Sequence, residues 1–142
     1  MEKYNFGFVL GVFDLFHIGH LNLIRNAKER CNYLMAGIVI DALPLVVKGV
    51  LPAIPFNERF EIVRSIRYVD EVVKVDFDNA LRKQLWEQYK FDCFFCGDDY
   101  ADREYMYEQQ QWMRDRGSEL MFLPYTKDRT STEIRKSLLI EK

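Results

Sequence analysis

His17-Ile18-Gly19-His20 holds the only two histidines of the 142-residue chain, three positions apart where an apolar run gives way to helical spacing. His20 falls inside the helix and His17 just before it, so both rings can lean toward the helix N-terminus. That end of a helix presents N–H groups without intrahelical partners and a positive partial charge, which together favour phosphate. Gly19 lets the backbone come close to a ligand. A dinucleotide-binding G-x-G-x-x-G is absent, and a His-x-x-His metal site would find only Asp14 nearby as a further ligand. Two ordinary turn histidines are the bland alternative. The coincidence of strand end, glycine, helix start and both histidines argues against it.

Cys93-Phe94-Phe95-Cys96 has the spacing of a metal or redox pair, but it sits in the apolar run 91–96, which reads as a buried strand. Residues three apart on a strand point to opposite faces, so the two sulfurs are expected to pack in the core and not to converge.

The elements that must position these residues alternate along the chain. The patterns predict a strand at 6–12, a helix at 19–30 and a strand at 33–40. A loop follows at 41–54, then a helix at 55–66, a strand at 69–75 and a helix at 79–89. A strand at 92–96, a helix at 100–116, a strand at 119–123 and a helix at 131–139 complete the series. Alternation of this kind selects an α/β fold, a Rossmann-like parallel five-stranded sheet with helices on both faces. No linker or repeat interrupts it, so one domain is expected over residues 1–142. Ligands of such sheets bind beyond the C-terminal strand ends. The loops expected there, 11–20, 41–54, 97–100 and 124–131, hold most of the unusual polar residues.

Composition narrows the classes. The formal charge is −2, with 20 basic and 22 acidic residues interspersed, which argues against a nucleic-acid binder driven by bulk charge. No apolar run approaches the about 20 residues of a membrane span, and the first residues lack a secretory pattern. Three cysteines, an odd number, fit a reducing compartment better than a disulfide framework. The expectation is a cytoplasmic protein with no membrane and no nucleic-acid partner.

Four segments, in order, carry a resemblance: Gly11-Val12-Phe13-Asp14-Leu15-Phe16-His17-Ile18-Gly19-His20, Arg67-Tyr68-Val69-Asp70-Glu71-Val72, Gly97-Asp98-Asp99 and the Thr/Ser-rich run near Thr130. Together they resemble the cytidylyltransferase family of the H-x-G-H nucleotidyltransferase superfamily. The likeness is strongest to the small bacterial glycerol-3-phosphate cytidylyltransferases, followed by the ethanolamine-phosphate and choline-phosphate enzymes. The resemblance implies the nucleotidyltransferase fold and transfer of CMP from CTP to a small phosphorylated alcohol. Glycerol 3-phosphate is the first acceptor expected and phosphoethanolamine the second. It also implies Mg²⁺ carried by CTP, no metal site of the protein's own, and a homodimer formed near Arg67. By the same likeness His17, His20, Lys48 and Arg59 form the catalytic set. Val12, Phe13, Asp14, Gly97, Asp98, Tyr125, Thr126, Arg129, Thr130, Ser131 and Thr132 join both histidines around the nucleotide, and Lys48 meets the acceptor, where Arg82 is a candidate substitute for family residues that this chain lacks.

Elementary chemistry agrees with that reaction. A phosphate monoester, with a second pKa near 6, is already a dianionic nucleophile at neutral pH and needs no general base. Catalysis then reduces to aligning two anions and stabilising charge with cations and N–H donors.

The departures are specific. Tyr125 stands where the family usually carries arginine and Asp128 where it carries glycine, so Arg129 or Arg135 is a candidate replacement. Val12 replaces a hydroxyl residue and Val50 a second lysine, and 76–81 lacks the Trp and Lys expected near the acceptor. Thr130-Ser131-Thr132-Glu133-Ile134-Arg135 also resembles the adenylyltransferase relatives, which keeps two alternatives open: adenylyl transfer on the same fold, and a nucleotide-binding domain without catalysis.

Overall fold

The computed structural model describes residues 3–124 and 131–140, apart from the side chains at positions 100, 131–133, 139 and 140. Its framework is a five-stranded sheet built from β1 (Tyr4–Gly11), β2 (Cys31–Val39), β3 (Glu71–Val75), β4 (Cys93–Gly97) and β5 (Glu119–Leu123). All neighbouring pairs are parallel, in the order β3-β2-β1-β4-β5. Strand order therefore reverses at β1, whose two neighbours are β2 and β4. The crevice for a ligand opens above the C-terminal ends of β1 and β4.

The near-continuous apolar strands are explained by a core on each face of the sheet. On one face α1 (Ile18–Lys28) and α3 (Phe56–Arg64) bury Ile24, Ala27 and Val63 against Val9, Leu34, Ile38 and Phe95. On the other, α4 (Arg82–Tyr89) and α5 (Glu104–Arg114) bury Leu85, Met106 and Met113 against Phe8, Phe94 and Leu120. Cys93 belongs to the first core and Cys96 to the second. Alternation along β4 thus separates the two sulfurs, as their spacing on a strand requires.

Several boundaries differ from the sequence patterns. The expected loop 41–54 begins with a helix, α2 (Ala42–Lys48). Its Pro44 sits in the first turn, where no N–H is needed, and Gly49 closes it in the left-handed region at φ 71°. The proline and glycine that suggested a loop are the start and stop of a short helix. The helix expected from 79 begins at Arg82, because the Asn79 side chain accepts the Asp76 N–H at 2.9 Å and holds a turn before it. A 3₁₀ turn (Asp98–Tyr100) precedes α5, and β3 begins at Glu71. Just before β3, Asp70 exchanges hydrogen bonds with Leu34 and pairs with Lys28 at 2.6 Å. The last helix, α6 (Ser131–Ile140), approaches the crevice through Arg135. Among the described residues no helix is long and apolar enough to cross a membrane.

Candidate active site

The chain leaves β1 at Gly11 and reaches α1 through a tight loop in which two non-glycine residues, Phe13 (φ 54°) and Leu15 (φ 49°), adopt left-handed backbone. Each costs about 1–2 kcal/mol. The strain is offset by packing. Phe13 is buried and lies so close over Gly11 that a Cβ there would come within 2.9 Å of its ring. The same ring meets His20 edge-on at 5.4 Å, and Phe16 contacts His20 at 5.3 Å.

The two histidines cap α1 reciprocally. His17, in extended conformation, is the N-cap; its Nδ1 accepts the Gly19 N–H at 3.0 Å. His20 Nδ1 accepts the His17 N–H at 3.2 Å, and the rings stack at 3.9 Å. A capping box ordinarily pairs Ser or Thr with Glu. Here imidazoles do that work, and each Nδ1 acts as an acceptor. A neutral ring held in this way carries its proton on Nε2. Burial, with the neighbouring His17 adding to it, depresses the His20 pKa to about 3, against a smaller opposing pull from Asp14. His20 is therefore a neutral donor at physiological pH.

His20 lines a cavity of about 460 Å³, together with Lys48, Arg82 and Arg135. Lys48 enters from the last turn of α2, and Arg82 from the first position of α4. Val12, Phe13 and Asp14 also belong to the wall. His17 supports His20 from behind and is not part of the lining, nor are Gly97 and Asp98, which end β4 and open the 3₁₀ turn. Tyr125, Thr126, Arg129 and Thr130, and the side chains of Ser131 and Thr132, lie outside the described residues.

Two residues expected at the ligand are engaged elsewhere. Arg59 is completely buried. Its Nε donates to the Ile54 carbonyl at 2.8 Å, and Nη1 to the carbonyls of Val12 at 2.7 Å and Val39 at 2.9 Å. Nη2 pairs with Asp41 at 2.6 Å. A guanidinium so occupied and shielded holds three segments of the crevice together, so it supports the site from beneath its walls. Asp14, 3% exposed, accepts the N–H groups of Ala53 at 2.8 Å and Ile54 at 2.9 Å and forms an ion pair with Arg135. It ties the histidine loop to the segment after α2 and to α6. Sequence patterns missed the bracing role of Asp14 and the partners of Arg59; Asp41, placed directly after a buried strand, was the available signal for one of them. Among the described residues Asp14 is the one carboxylate in the wall, so Lys48, Arg82 and Arg135 give that lining a positive balance in a chain of net negative charge. Among the described residues no three His, Cys, Asp or Glu side chains converge to hold a metal ion.

A family model described as cytidylyltransferase-like matches residues 8–137. The chain belongs to the cytidylyltransferase-like family. Over 135 residues it is 30% identical to the glycerol-3-phosphate cytidylyltransferase of Bacillus subtilis (strain 168), covering 90% of this chain and 92% of that protein. It is 36% identical over 93 residues to the ethanolamine-phosphate cytidylyltransferase of Arabidopsis thaliana, covering 63% of this chain and 22% of that one. It is also 35% identical over 89 residues to the FAD synthase of Pyrococcus abyssi (strain GE5 / Orsay), covering 63% and 60% respectively. The chain thus spans less than two thirds of the Arabidopsis and Pyrococcus relatives. Among solved structures, the lipopolysaccharide core biosynthesis protein from Thermoplasma volcanium GSS1 shares the fold, with a TM-score of 0.71 at 19% identity over 89% of this chain and 100% of that one.

Two outcomes follow from this geometry. Arg59→Met strands three carbonyls and Asp41, and urea denaturation is expected to register a loss of roughly 3 kcal/mol or more. Because the folded pKa of His20 lies below its unfolded value, the unfolded chain binds the extra proton, and stability falls as pH drops below about 6.5. Between pH 7 and 5 the urea midpoint of the wild type should decline more than that of His20→Gln. Equal declines would contradict a buried neutral imidazole.

Proposed function

We propose that the protein is a cytidylyltransferase that transfers CMP from CTP to a small phosphate monoester and releases pyrophosphate. The observation that carries this reading is the pair of imidazoles whose Nδ1 atoms are both held by backbone N–H groups at the start of α1, beside a cationic cavity. A dianionic acceptor phosphate attacks the α-phosphorus in line. The new P–O bond forms as the bond to the β-phosphate oxygen breaks, and pyrophosphate departs as its magnesium complex. No proton needs to be removed from the nucleophile.

In this scheme the helix N-terminus and the neutral His20 donate N–H groups to the α-phosphate as its charge rises, while His17 keeps the ring oriented. Lys48 spans the two anions, Arg82 takes the acceptor phosphate, and Arg135 is the cation that meets the outer phosphates in place of the family arginine missing at Tyr125. Mg²⁺ enters with the nucleotide as part of the substrate. The names of the Bacillus and Arabidopsis relatives support CTP and make glycerol 3-phosphate and phosphoethanolamine the first acceptors to assay. A second reading, adenylyl transfer, draws support from the FAD synthase relative and from the segment Thr130–Arg135. The Arg67–Val72 segment, next to the open edge of β3, supports a homodimer.

Pyrophosphate release measured with each of the four nucleoside triphosphates and a pool of phosphate monoesters should show CTP preferred and activity lost on chelating Mg²⁺. Product with ATP alone would favour the second reading. His20→Ala and His17→Ala should each lower kcat by about 100-fold or more with circular dichroism unchanged, and near-normal turnover in both would rule the mechanism out. Sedimentation velocity should give twice the chain mass, and a monomer at assay concentrations would remove the dimer from the scheme.

A further inference from the structure

Asp14 sits where the histidine loop, the segment after α2 and α6 come together. Its Oδ1 accepts the Ile54 N–H at 2.9 Å and its Oδ2 the Ala53 N–H at 2.8 Å, while Oδ2 also pairs with Nη2 of Arg135. The carboxylate is buried, whereas Arg135 is partly exposed and lines the cavity with His20 and Lys48. Bracing the loop accounts for the two backbone bonds. It leaves the bond to Arg135 to be explained, because a carboxylate beside an anion site repels the ligand that the neighbouring cations attract.

An arginine on a helix surface loses much rotamer freedom when it closes on a phosphate. Asp14 removes part of that freedom in advance, since its own oxygens are fixed by the backbone N–H groups of Ala53 and Ile54. The contact runs through Nη2, one corner of a planar fork with five N–H groups. It settles how the fork is turned without consuming all of its donors. Position matters as much as direction. Asp14 belongs to the loop that carries His17 and His20, whose side chains cap α1. Pairing Arg135 with Asp14 therefore registers a cation against the start of α1, the place that the transfer reading gives to the α-phosphate.

Resting on the nucleotidyl-transfer reading, in which Arg135 meets the outer phosphates, we infer that Asp14 is a positioning residue for that arginine. The ion pair sets the guanidinium against the histidine loop so that a triphosphate spans the two. A monophosphate, held at the start of α1 alone, gains nothing from it. Asp14 thus acts through Arg135 and not by touching the nucleotide, and the pair makes the site select triphosphate over monophosphate.

Titration calorimetry of the full chain with CTP and with CMP separates this role from its rivals. Arg135→Met should weaken CTP by about tenfold or more while CMP changes by less than about twofold. Asp14→Asn should show the same selective loss. In the double variant CTP should bind no more than about twofold more weakly than to Arg135→Met, because the two residues act as one unit. A carboxylate that only braces the loop would, on becoming Asn, weaken CTP and CMP alike. One that competes with the nucleotide for Arg135 would tighten CTP. Either result overturns the inference, as does an unchanged ratio of CTP to CMP affinity in Arg135→Met. Should the wild type take ATP in place of CTP, ATP and AMP make the same comparison. A second readout needs no substitution at position 14, where loss of a buried acceptor can unfold the chain. NMR of the arginine side-chain nitrogens in the wild type should find the Arg135 guanidinium restricted in rotation before nucleotide is added, and free rotation there overturns the inference. Neither measurement depends on turnover. The expected affinities without pyrophosphate release from any of the four triphosphates uphold the pairing and overturn the transfer reaction instead.

Discussion

Arg59 donates four hydrogen bonds from a fully buried guanidinium to the end of β1, the end of β2 and the segment before α3. Parallel strands end in carbonyls that the sheet no longer satisfies, and a planar fork with fixed donor directions can satisfy several of them at once. Because those carbonyls belong to the segments that border the crevice, their satisfaction also fixes where Phe13, Lys48 and His20 can lie. Asp14 repeats the device with opposite charge, taking N–H groups from Ala53 and Ile54. One cation and one anion, both buried, thus set the spacing of the walls before any substrate arrives.

The electrostatic character of the site follows from that arrangement. His20 is kept neutral by burial among Phe13, Phe16 and His17, so its contribution is a directed N–H group and not a full charge. Net positive charge comes from Lys48, Arg82 and Arg135. A division between neutral donors near the reacting phosphorus and cations around it suits a reaction in which charge is redistributed over oxygens and no proton is transferred from the nucleophile.

Much of this was legible from residue order. The order of strands and helices, apart from α2, and the phosphate-oriented start of α1 follow from local periodicity and helix-end chemistry, which act over a few residues. The opposite orientation of Cys93 and Cys96 follows from the two-residue period of a strand. The hydrogen-bond partners of Arg59 and Asp14 were not legible, because apart from Ile54, five positions from Arg59, they lie between 18 and 121 positions away. Helix α2 was missed for a local reason: Pro44 and Gly49 punctuate turns and short helices alike, and only the burial of Leu43 and Pro44 against the rest of the fold decides between them. The reciprocal histidine cap lay between these cases. Its spacing was visible, but which ring nitrogen faces the backbone depends on the strained loop of Phe13 and Leu15.

The ion pair between Asp14 and Arg135 joins positions 121 residues apart. During synthesis the histidine loop emerges early, yet one wall of its cavity and the counter-charge to Asp14 come into being only after residue 135 has been made. At about 5–20 residues per second, that is a delay of roughly 6–24 s. Over this interval Asp14 is held by the Ala53 and Ile54 N–H groups, and Lys48 and Arg82 are the cations of the described lining. Synthesis of residue 135 is therefore also the event that closes the cationic lining opposite the histidine loop.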